Sequence, residues 1–218
     1  MSLADYPGGR DTMIERMAAA RVPTAFGTFL VVGYRSRRDD GEHVAMVRGE
    51  VAGERDVLVR LHSECFTGDT LGSLRCDCRD QFLEAQRRIA AEGRGVLIYV
   101  RGHEGRGIGL MGKLAAYALQ ENGRDTVEAN IDLGLPVDAR DYGAGAQILQ
   151  DLGVVSIRLL TNNPAKQAGL EEHGITVTTR VPLPVPFTAE NRGYLEAKAR
   201  KLGHQIDLAS GEEPGAAG

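Results

Sequence analysis

The segment Gly95-Val-Leu-Ile-Tyr-Val100 restricts the fold most, because it is continuously apolar rather than alternating. Such a short run predicts a strand buried on both faces, as in sheets that carry helices on each side. Helical patterns flank it. The preceding one begins at Cys78, has apolar residues every three or four positions and ends at Gly93 or Gly95, and the following one covers 110–122.

The rest of the second half repeats this alternation of strand and helix. The predicted elements are a helix over 145–152, a strand over 157–160, a helix over 164–173, a strand over 175–181 and, after Thr188 as N-cap, a helix over 189–202. Near the start, three alternating segments (26–34, 43–48 and 56–62) have connections too short for helical crossovers, which predicts an antiparallel unit. The expected fold class is α/β, a mixed sheet with helices packed on it, preceded by an antiparallel β unit.

Length and composition limit the class of protein. We expect one domain over residues 1–208 of the 218, with a flexible segment 1–14 and a disordered tail 209–218. The net charge of −4 excludes a basic protein that coats nucleic acid polymers. No apolar run approaches the roughly 18 residues of a membrane span, and we expect no signal peptide in the polar start. Three cysteines form no disulfide framework, so a reducing, cytoplasmic location is expected.

All three cysteines lie close together in the sequence, at Cys65, Cys76 and Cys78. Charged neighbours disfavour ordinary buried thiols, and a disulfide between residues two apart would be severely strained. Thiolate ligation of Zn²⁺ explains the cluster best. Three protein ligands leave a position for water, as in catalytic zinc sites, whereas His62 or His103 as a fourth ligand would make the site structural.

A loop rich in glycine and arginine, Arg101-Gly-His-Glu-Gly-Arg-Gly-Ile-Gly109, follows the buried strand and precedes a helix. It matches neither the P-loop nor the dinucleotide-binding pattern. Glycine nevertheless lets backbone N–H groups approach an anion, and Arg101 and Arg106 supply guanidinium groups suited to phosphate. The pattern favours a phosphate site over a merely tight turn.

Two further segments carry more polar residues than a connection requires. Asp138-Ala-Arg140-Asp141 is equally compatible with solvated loop charges. In Leu160-Thr-Asn-Asn-Pro-Ala-Lys166 the polar residues are compatible with helix caps and turn formers, yet they follow a strand, where α/β proteins place ligands. Lys166 lies in the first turn of a helix, where a cation opposes the helix dipole, so a bound anion explains it better than stability does.

Together these segments resemble the GTP cyclohydrolase II family of riboflavin biosynthesis, in its monofunctional form. The fused enzyme that also makes the four-carbon precursor would need a far longer chain and is not expected. Eight strings in order between Val22 and His204 carry the resemblance: Arg60-Leu-His-Ser-Glu-Cys-Phe-Thr-Gly-Asp69, Leu74-Arg-Cys-Asp-Cys78, Arg101-Gly-His-Glu-Gly-Arg-Gly-Ile-Gly-Leu110, Ala116-Tyr-Ala-Leu-Gln120, Asp125-Thr-Val-Glu-Ala-Asn130, Asp138-Ala-Arg-Asp-Tyr142, Leu160-Thr-Asn-Asn-Pro164 and Arg180-Val-Pro182.

The resemblance implies roles for individual residues. Zinc would be held by Cys65, Cys76 and Cys78 with water as fourth ligand, and Mg²⁺ would accompany the triphosphate. GTP would be bound by Arg60, Leu61, His62, Ser63, Glu64, Gln81, Glu104, Gly105, Arg106, Thr126, Thr161 and Lys166. Tyr117 would lie near the purine, Asp138 would accept a proton and Arg140 would be a nucleophile. Because a guanidinium stays protonated, we interpret Arg140 instead as stabilising charge at the α-phosphate, with Asp138 orienting it or a water.

The implied reaction hydrolyses the imidazole ring of GTP at C8 and releases formate and pyrophosphate, giving 2,5-diamino-6-(5-phosphoribosylamino)pyrimidin-4-one. Zinc would provide the nucleophile at neutral pH by ionising its bound water. Two alternatives remain open: an enzyme of the same fold that stops at the formamide, and a non-catalytic, zinc-stapled nucleotide sensor. The resemblance also implies a homodimer.

Overall fold

A computed structural model of the chain describes residues 13–184 and 187–206. Its strands are β1 (Ile14–Thr24), β2 (Gly27–Ser36), β3 (Glu42–Arg48), β4 (Val57–Ser63), β5 (Gly95–Val100), β6 (Ser156–Leu160) and β7 (Thr176–Val181). Its helices are α1 (Cys78–Glu92), α2 (Gly109–Glu121), α3 (Thr126–Asp132), α4 (Gly143–Asp151), α5 (Pro164–Glu172) and α6 (Arg192–Leu202). Two short turns complete these elements, a π-helical turn at Phe66–Thr70 and a 3₁₀ turn at Glu104–Arg106.

The strands form a seven-stranded sheet in the order β1-β2-β3-β5-β4-β6-β7. The pairs from β1 to β5 are antiparallel, and those from β5 through β4 and β6 to β7 are parallel. The apolar run Gly95–Val100 is β5, which lies between β3 and β4 and is buried along nearly its whole length. The α/β class, with a mixed sheet and an antiparallel unit at the start, is therefore confirmed.

The membership of the antiparallel unit differs from the prediction. Segment 56–62 corresponds to β4, which pairs in parallel with β5 and β6, so its assignment to that unit is wrong. Its short connection from β3 crosses only one intervening strand, a span of about 10 Å. The third strand of the unit is β1, whose three alanines and Pro23 give a weak strand pattern that an edge strand tolerates.

Helices cover both faces of the sheet. α4 and α5 pack on one face together with Leu61 of β4, and α1 packs on the other together with Leu58. Because side chains alternate along a strand, Arg60 and His62 share the α1 face. The His62 ring lies 5.1 Å from the ring of Phe82 in α1, measured between centroids. The pleat of β4 thus directs two predicted site residues toward the helix that begins at Cys78.

Some helix boundaries also differ from the prediction. α3 has no predicted counterpart, and α6 begins at Arg192 with Asn191 as its N-cap rather than Thr188. The Thr188 hydroxyl instead accepts from the Asn191 N–H at 3.2 Å, and the Asn191 side chain accepts from the Thr188 N–H at 2.9 Å. The predicted tail 209–218 lies outside the described residues, and so does the predicted flexible segment 1–14 apart from Met13 and Ile14.

Among the helices that the structure describes, none combines the length and the apolar character needed to cross a membrane.

Candidate active site

The carboxyl ends of the parallel strands β4, β5 and β6 open into one cleft, the usual place for a ligand in an α/β sheet. The space in and around it, including part that is open to solvent, is about 1030 Å³. The three cysteines line it. So do most of the residues predicted to bind substrate or to act in catalysis: Arg60, His62, Ser63, Glu64, Gln81, Gly105, Arg106, Tyr117, Thr126, Arg140, Thr161 and Lys166.

The predicted residues Leu61, Glu104 and Asp138 do not themselves line this cleft. The Leu61 side chain is fully buried in the core, and its carbonyl oxygen accepts from the Lys166 ammonium at 2.7 Å. Glu104 and Asp138 are paired with basic residues that do line the cleft, Lys113 and Arg140 respectively. All three therefore contact side chains that face the cleft.

The three cysteine side chains converge in the cleft. Their sulfur atoms lie within 4.8 Å of one another, and Cys65 Sγ is 3.7 Å from Cys76 Sγ. In the part of the chain that the structure describes, no histidine nitrogen or carboxylate oxygen joins this group. His62 instead places Nε2 3.1 Å from both carboxylate oxygens of Asp69. The arrangement does not support a fourth, histidine ligand.

The turn Phe66–Thr70 brings Cys65 beside Cys76 and is shaped for a metal centre. A Cβ on Gly68 would lie 2.8 Å from Cys76 Sγ and 3.0 Å from Cys65 Sγ, so only glycine fits there. The Gly68 N–H donates to Cys65 Sγ at 3.3 Å. Converging thiols with a backbone N–H donor match the ligands and the outer hydrogen bonds of zinc sites. The residues present therefore fit a zinc ion.

Lys113 of α2 lies beside the cysteine cluster. Its ammonium donates to Cys65 Sγ at 3.0 Å and to the buried carboxylate of Glu104 at 2.7 Å. Hydrogen bonds from Cys76 and Cys78, together with the charge of Lys113, lower the pKa of the Cys65 thiol. Because zinc binds the thiolate and not the thiol, these contacts favour metal binding.

Buried cations line the cleft near the ends of β4 and β6. Arg60 is 4% exposed and donates to the Leu160 carbonyl at 2.9 Å, but its Nε has no partner among the described residues. Burial lowers the pKa of Arg60 to about 10. Burial, then the charges of Arg60 and Arg140, lower the pKa of Lys166, which has no carboxylate partner in the described part of the chain. This concentration of positive charge favours an anionic ligand.

The loop that contains Arg140 packs on the glycine-rich loop. Gly107 has φ +90°, and a Cβ there would lie 3.2 Å from the Ala139 Cβ. The Ala139 N–H donates to the Arg106 carbonyl at 2.9 Å. Asp138 accepts twice from the Arg140 guanidinium, at 2.8 Å from Nε and through a second, shorter contact from Nη2. Two segments that are distant in the sequence therefore present their arginines to the same cleft.

His103 joins the glycine-rich loop to its neighbours. Its Nδ1 lies 3.2 Å from the Ser63 hydroxyl, and its Nε2 lies 2.9 Å from the Asp141 carbonyl oxygen. A carbonyl only accepts, so Nε2 carries the hydrogen and donates. Burial, then the charges of Lys166 and Arg140, lower the pKa of His103 to about 4. The ring is therefore neutral at neutral pH.

Acid is expected to destabilise the protein partly through His103. The folded pKa of about 4 lies below the ordinary value of 6.5, so the unfolded chain binds more protons between these two pH values. The contribution of neutral His103 to the free energy of unfolding is fully present above pH 6.5 and is lost as the pH drops to about 4. This loss amounts to about 3 kcal/mol. Urea unfolding across this window should show a flatter pH dependence for His103→Gln, and equal slopes for both proteins would contradict this.

Several residues in the cleft were not predicted from the sequence. α2 contributes Lys113, and the C-terminal part of the chain contributes Tyr194, Lys198 and His204. The chain has only four lysines, and three of them (113, 166 and 198) line the cleft. The scarcity of lysine in the chain is a signal that could have identified Lys113 and Lys198.

Comparisons with known proteins agree with this geometry. The family model for GTP cyclohydrolase II matches residues 15–182. Riboflavin biosynthesis protein RibBA of Nocardia farcinica is 58% identical over 219 residues, covering 97% of this chain and 53% of that protein. The RibBA protein of Salinispora tropica is 61% identical over 204 residues, covering 94% of this chain and 51% of that protein. The chain spans about half the length of these curated relatives.

A solved structure, that of RibBX, a two-domain 3,4-dihydroxy-2-butanone 4-phosphate synthase from A. baumannii, is also similar over 70% of this chain and 35% of its own. Its TM-score of 0.39, at 25% identity, is too low to inform the fold. The family match, in contrast, covers most of the sheet and both loops that form the cleft. The chain therefore belongs to the GTP cyclohydrolase II family.

Proposed function

We propose that this chain hydrolyses GTP, opening the imidazole ring at C8 with release of formate and pyrophosphate, as the first step of riboflavin biosynthesis. The product is 2,5-diamino-6-(5-phosphoribosylamino)pyrimidin-4-one. The observation that carries the proposal is a single cleft in which three converging thiols meet two buried cations, Arg60 and Lys166, that have no carboxylate partner among the described residues. Family membership supports the same reaction.

Cys65, Cys76 and Cys78 would hold Zn²⁺. When bound, this ion supplies a Lewis acid and makes water available as a nucleophile at neutral pH. Lys113 offsets thiolate charge and fixes the Cys65 side chain, while the Gly68 N–H donates to the same sulfur. We assign Mg²⁺ to the phosphates of GTP, because this hard cation prefers oxygen ligands and commonly binds through substrate phosphates.

Arg60, Arg106 and Lys166 are proposed to hold the triphosphate. Arg60 and Lys166 are buried, so their attraction to phosphate is weakly screened by water. Tyr117 is proposed to face the purine, since its ring is fixed by the Arg75 guanidinium 4.9 Å from the ring centroid. The other proposed GTP contacts share or support the same cleft: Leu61, His62, Ser63, Glu64, Gln81, Glu104, Gly105, Thr126 and Thr161.

Arg140 is proposed to stabilise negative charge at the α-phosphate and not to act as a nucleophile. Although burial works against it, hydrogen bonding and the charge of Asp138 raise the pKa of Arg140. A guanidinium that stays protonated has no free electron pair for attack, but it offers N–H donors to a phosphate. Asp138 is then a positioning residue that fixes the plane of this guanidinium through two hydrogen bonds.

We further propose that the chain acts in the cytoplasm as a homodimer, with residues 1–208 as one domain. The free thiols of the cysteine cluster suit a reducing compartment. Leu71, Leu74 and Met111 are 65, 62 and 70% exposed, which provides apolar surface for a second copy to cover.

The direct test is to incubate the purified protein with GTP, Mg²⁺ and Zn²⁺ and to quantify formate, pyrophosphate and the pyrimidine product. We expect formate and the pyrimidine product in equal amounts. Accumulation of a formamide without formate would indicate an enzyme that stops at ring opening. Binding of GTP without any product would indicate a nucleotide sensor. Either result would overturn the proposal.

A further inference from the structure

The last helix of the described chain lies against the cleft, although the family match ends at residue 182. α6 and the residues after it contribute Tyr194, Lys198 and His204 to the lining. The far end of this segment is tied to the sheet, because the Gln205 N–H donates to the Asn162 carbonyl at 2.8 Å, just beyond the end of β6. α6 is thus held against the carboxyl edge of the sheet, beside the residues of the cleft.

Lys198 makes the most informative contact of α6. It is 7% exposed, and its ammonium donates to Oδ1 of Asp77 at 2.6 Å. Asp77 is fully buried and lies between Cys76 and Cys78 in the sequence. The Tyr194 ring lies one turn earlier on α6, with its centroid 4.3 Å from the Lys198 nitrogen, and adds a cation–π contact. The Lys198 ammonium of α6 therefore neutralises the carboxylate of Asp77, which lies between two of the proposed metal ligands.

The same carboxylate continues the network toward the phosphate side of the cleft. Oδ2 of Asp77 accepts from the Gln81 amide nitrogen at 2.6 Å. The Gln81 carbonyl oxygen in turn accepts from the Arg60 guanidinium, which also donates to the Leu160 carbonyl at 2.9 Å. Hydrogen bonds thus connect α6 through the cysteine loop and α1 to β4 and β6.

A buried ion pair is a costly way to stabilise a fold, since desolvation offsets much of the attraction. Here the ion pair mainly fixes the position of Asp77, because its two carboxylate oxygens accept from donors on different helices, Gln81 of α1 and Lys198 of α6. We infer that α6 is part of the active site and that Lys198 is a positioning residue, which holds the Cys76–Cys78 loop through Asp77 and Arg60 through Gln81. The effect on GTP turnover rests on the proposed function, whereas the effect on metal retention does not.

The test compares Lys198→Met with wild type in the full-length, zinc-loaded protein. Loss of a group that orients metal ligands typically changes metal affinity or activity 10- to 100-fold. We therefore expect zinc transfer to a chromogenic chelator to accelerate by about 10- to 100-fold, and kcat/KM for GTP to fall by a similar factor. Arg200→Met is the matched control, because Arg200 lies on the same helix, is exposed and pairs only with Glu196 in the described part of the chain. It should behave as wild type in both measurements.

The double variant Asp77→Asn/Lys198→Met separates positioning from stability. Lys198→Met alone leaves a buried carboxylate without its cation, which lowers the melting temperature. The double variant removes that charge, so its melting temperature should recover while zinc release stays fast. Recovery of both properties, or wild-type zinc release in Lys198→Met, would overturn the inference. If the wild type makes no formate, the proposed function fails, but zinc release still tests the role of Lys198.

Discussion

Replacing Cys76 with serine is expected to abolish the release of formate from GTP. A serine hydroxyl does not ionise near neutral pH as a metal-stabilised thiol does, so the site loses one of its three ligands. We expect the zinc content per chain to fall at least about 10-fold and the rate of formate release to fall at least about 10³-fold. Metal analysis of the purified variant and a formate assay measure the two effects.

Ser73→Ala is a matched control for this prediction, because Ser73 lies between the ligands in the same loop. Its hydroxyl accepts only from the Arg75 N–H, at 3.3 Å, in the described structure. Zinc content and formate release should remain within about threefold of wild type, as is usual for a surface change. A Cys76→Ser protein that lacks zinc but still releases formate at the wild-type rate would show that the cysteine cluster has no part in the reaction.

Local patterns predicted most of the fold. The uninterrupted apolar run of β5 and the helical spacing on either side of it indicated a sheet with helices on both faces, because a strand buried on both faces has apolar residues at consecutive positions. The pairing of β4 was not predictable in the same way. A short connection after β3 allows β4 to pair directly with β3 or to lie one strand further along the sheet. The second arrangement is the one observed, because β5, which comes later in the sequence, lies between β3 and β4.

In the candidate site, too, the residues that occur in local sequence patterns were predictable, whereas contacts between distant parts of the chain were not. Its cysteines, glycines and arginines occur in compact strings, so the segments that form the cleft were visible in the sequence. The contact between Asp77 and Lys198 joins residues 121 positions apart and follows no local period. Lys113 was missed for a related reason, since a lysine on a helix is usually solvated and its contact with Cys65 depends on how α2 packs.

Replacing Lys166 with methionine should weaken GTP binding without harming the empty protein. Lys166 is buried, donates only to the Leu61 carbonyl in the described structure and has a pKa lowered by burial and by the cations Arg60 and Arg140. Loss of a charge-assisted hydrogen bond to phosphate should raise the Kd for GTP about 10- to 100-fold. The melting temperature without nucleotide should equal or exceed that of wild type, because an uncompensated buried cation is removed.

Calorimetric titration of the zinc-free proteins with GTP and with guanosine locates the effect, because without zinc the proposed hydrolysis of GTP does not contribute heat. Guanosine lacks phosphates, so its affinity should be the same for Lys166→Met and wild type, while the affinity for GTP falls. Arg87→Met controls for net charge, because it removes an exposed cation that contacts Glu84 on α1, outside the cleft. Equal weakening of both ligands would mean that Lys166 shapes the cleft rather than meeting phosphate. A lower melting temperature of the empty variant would mean that the charge of Lys166 is already compensated, and the cation would then need no anionic ligand to explain it.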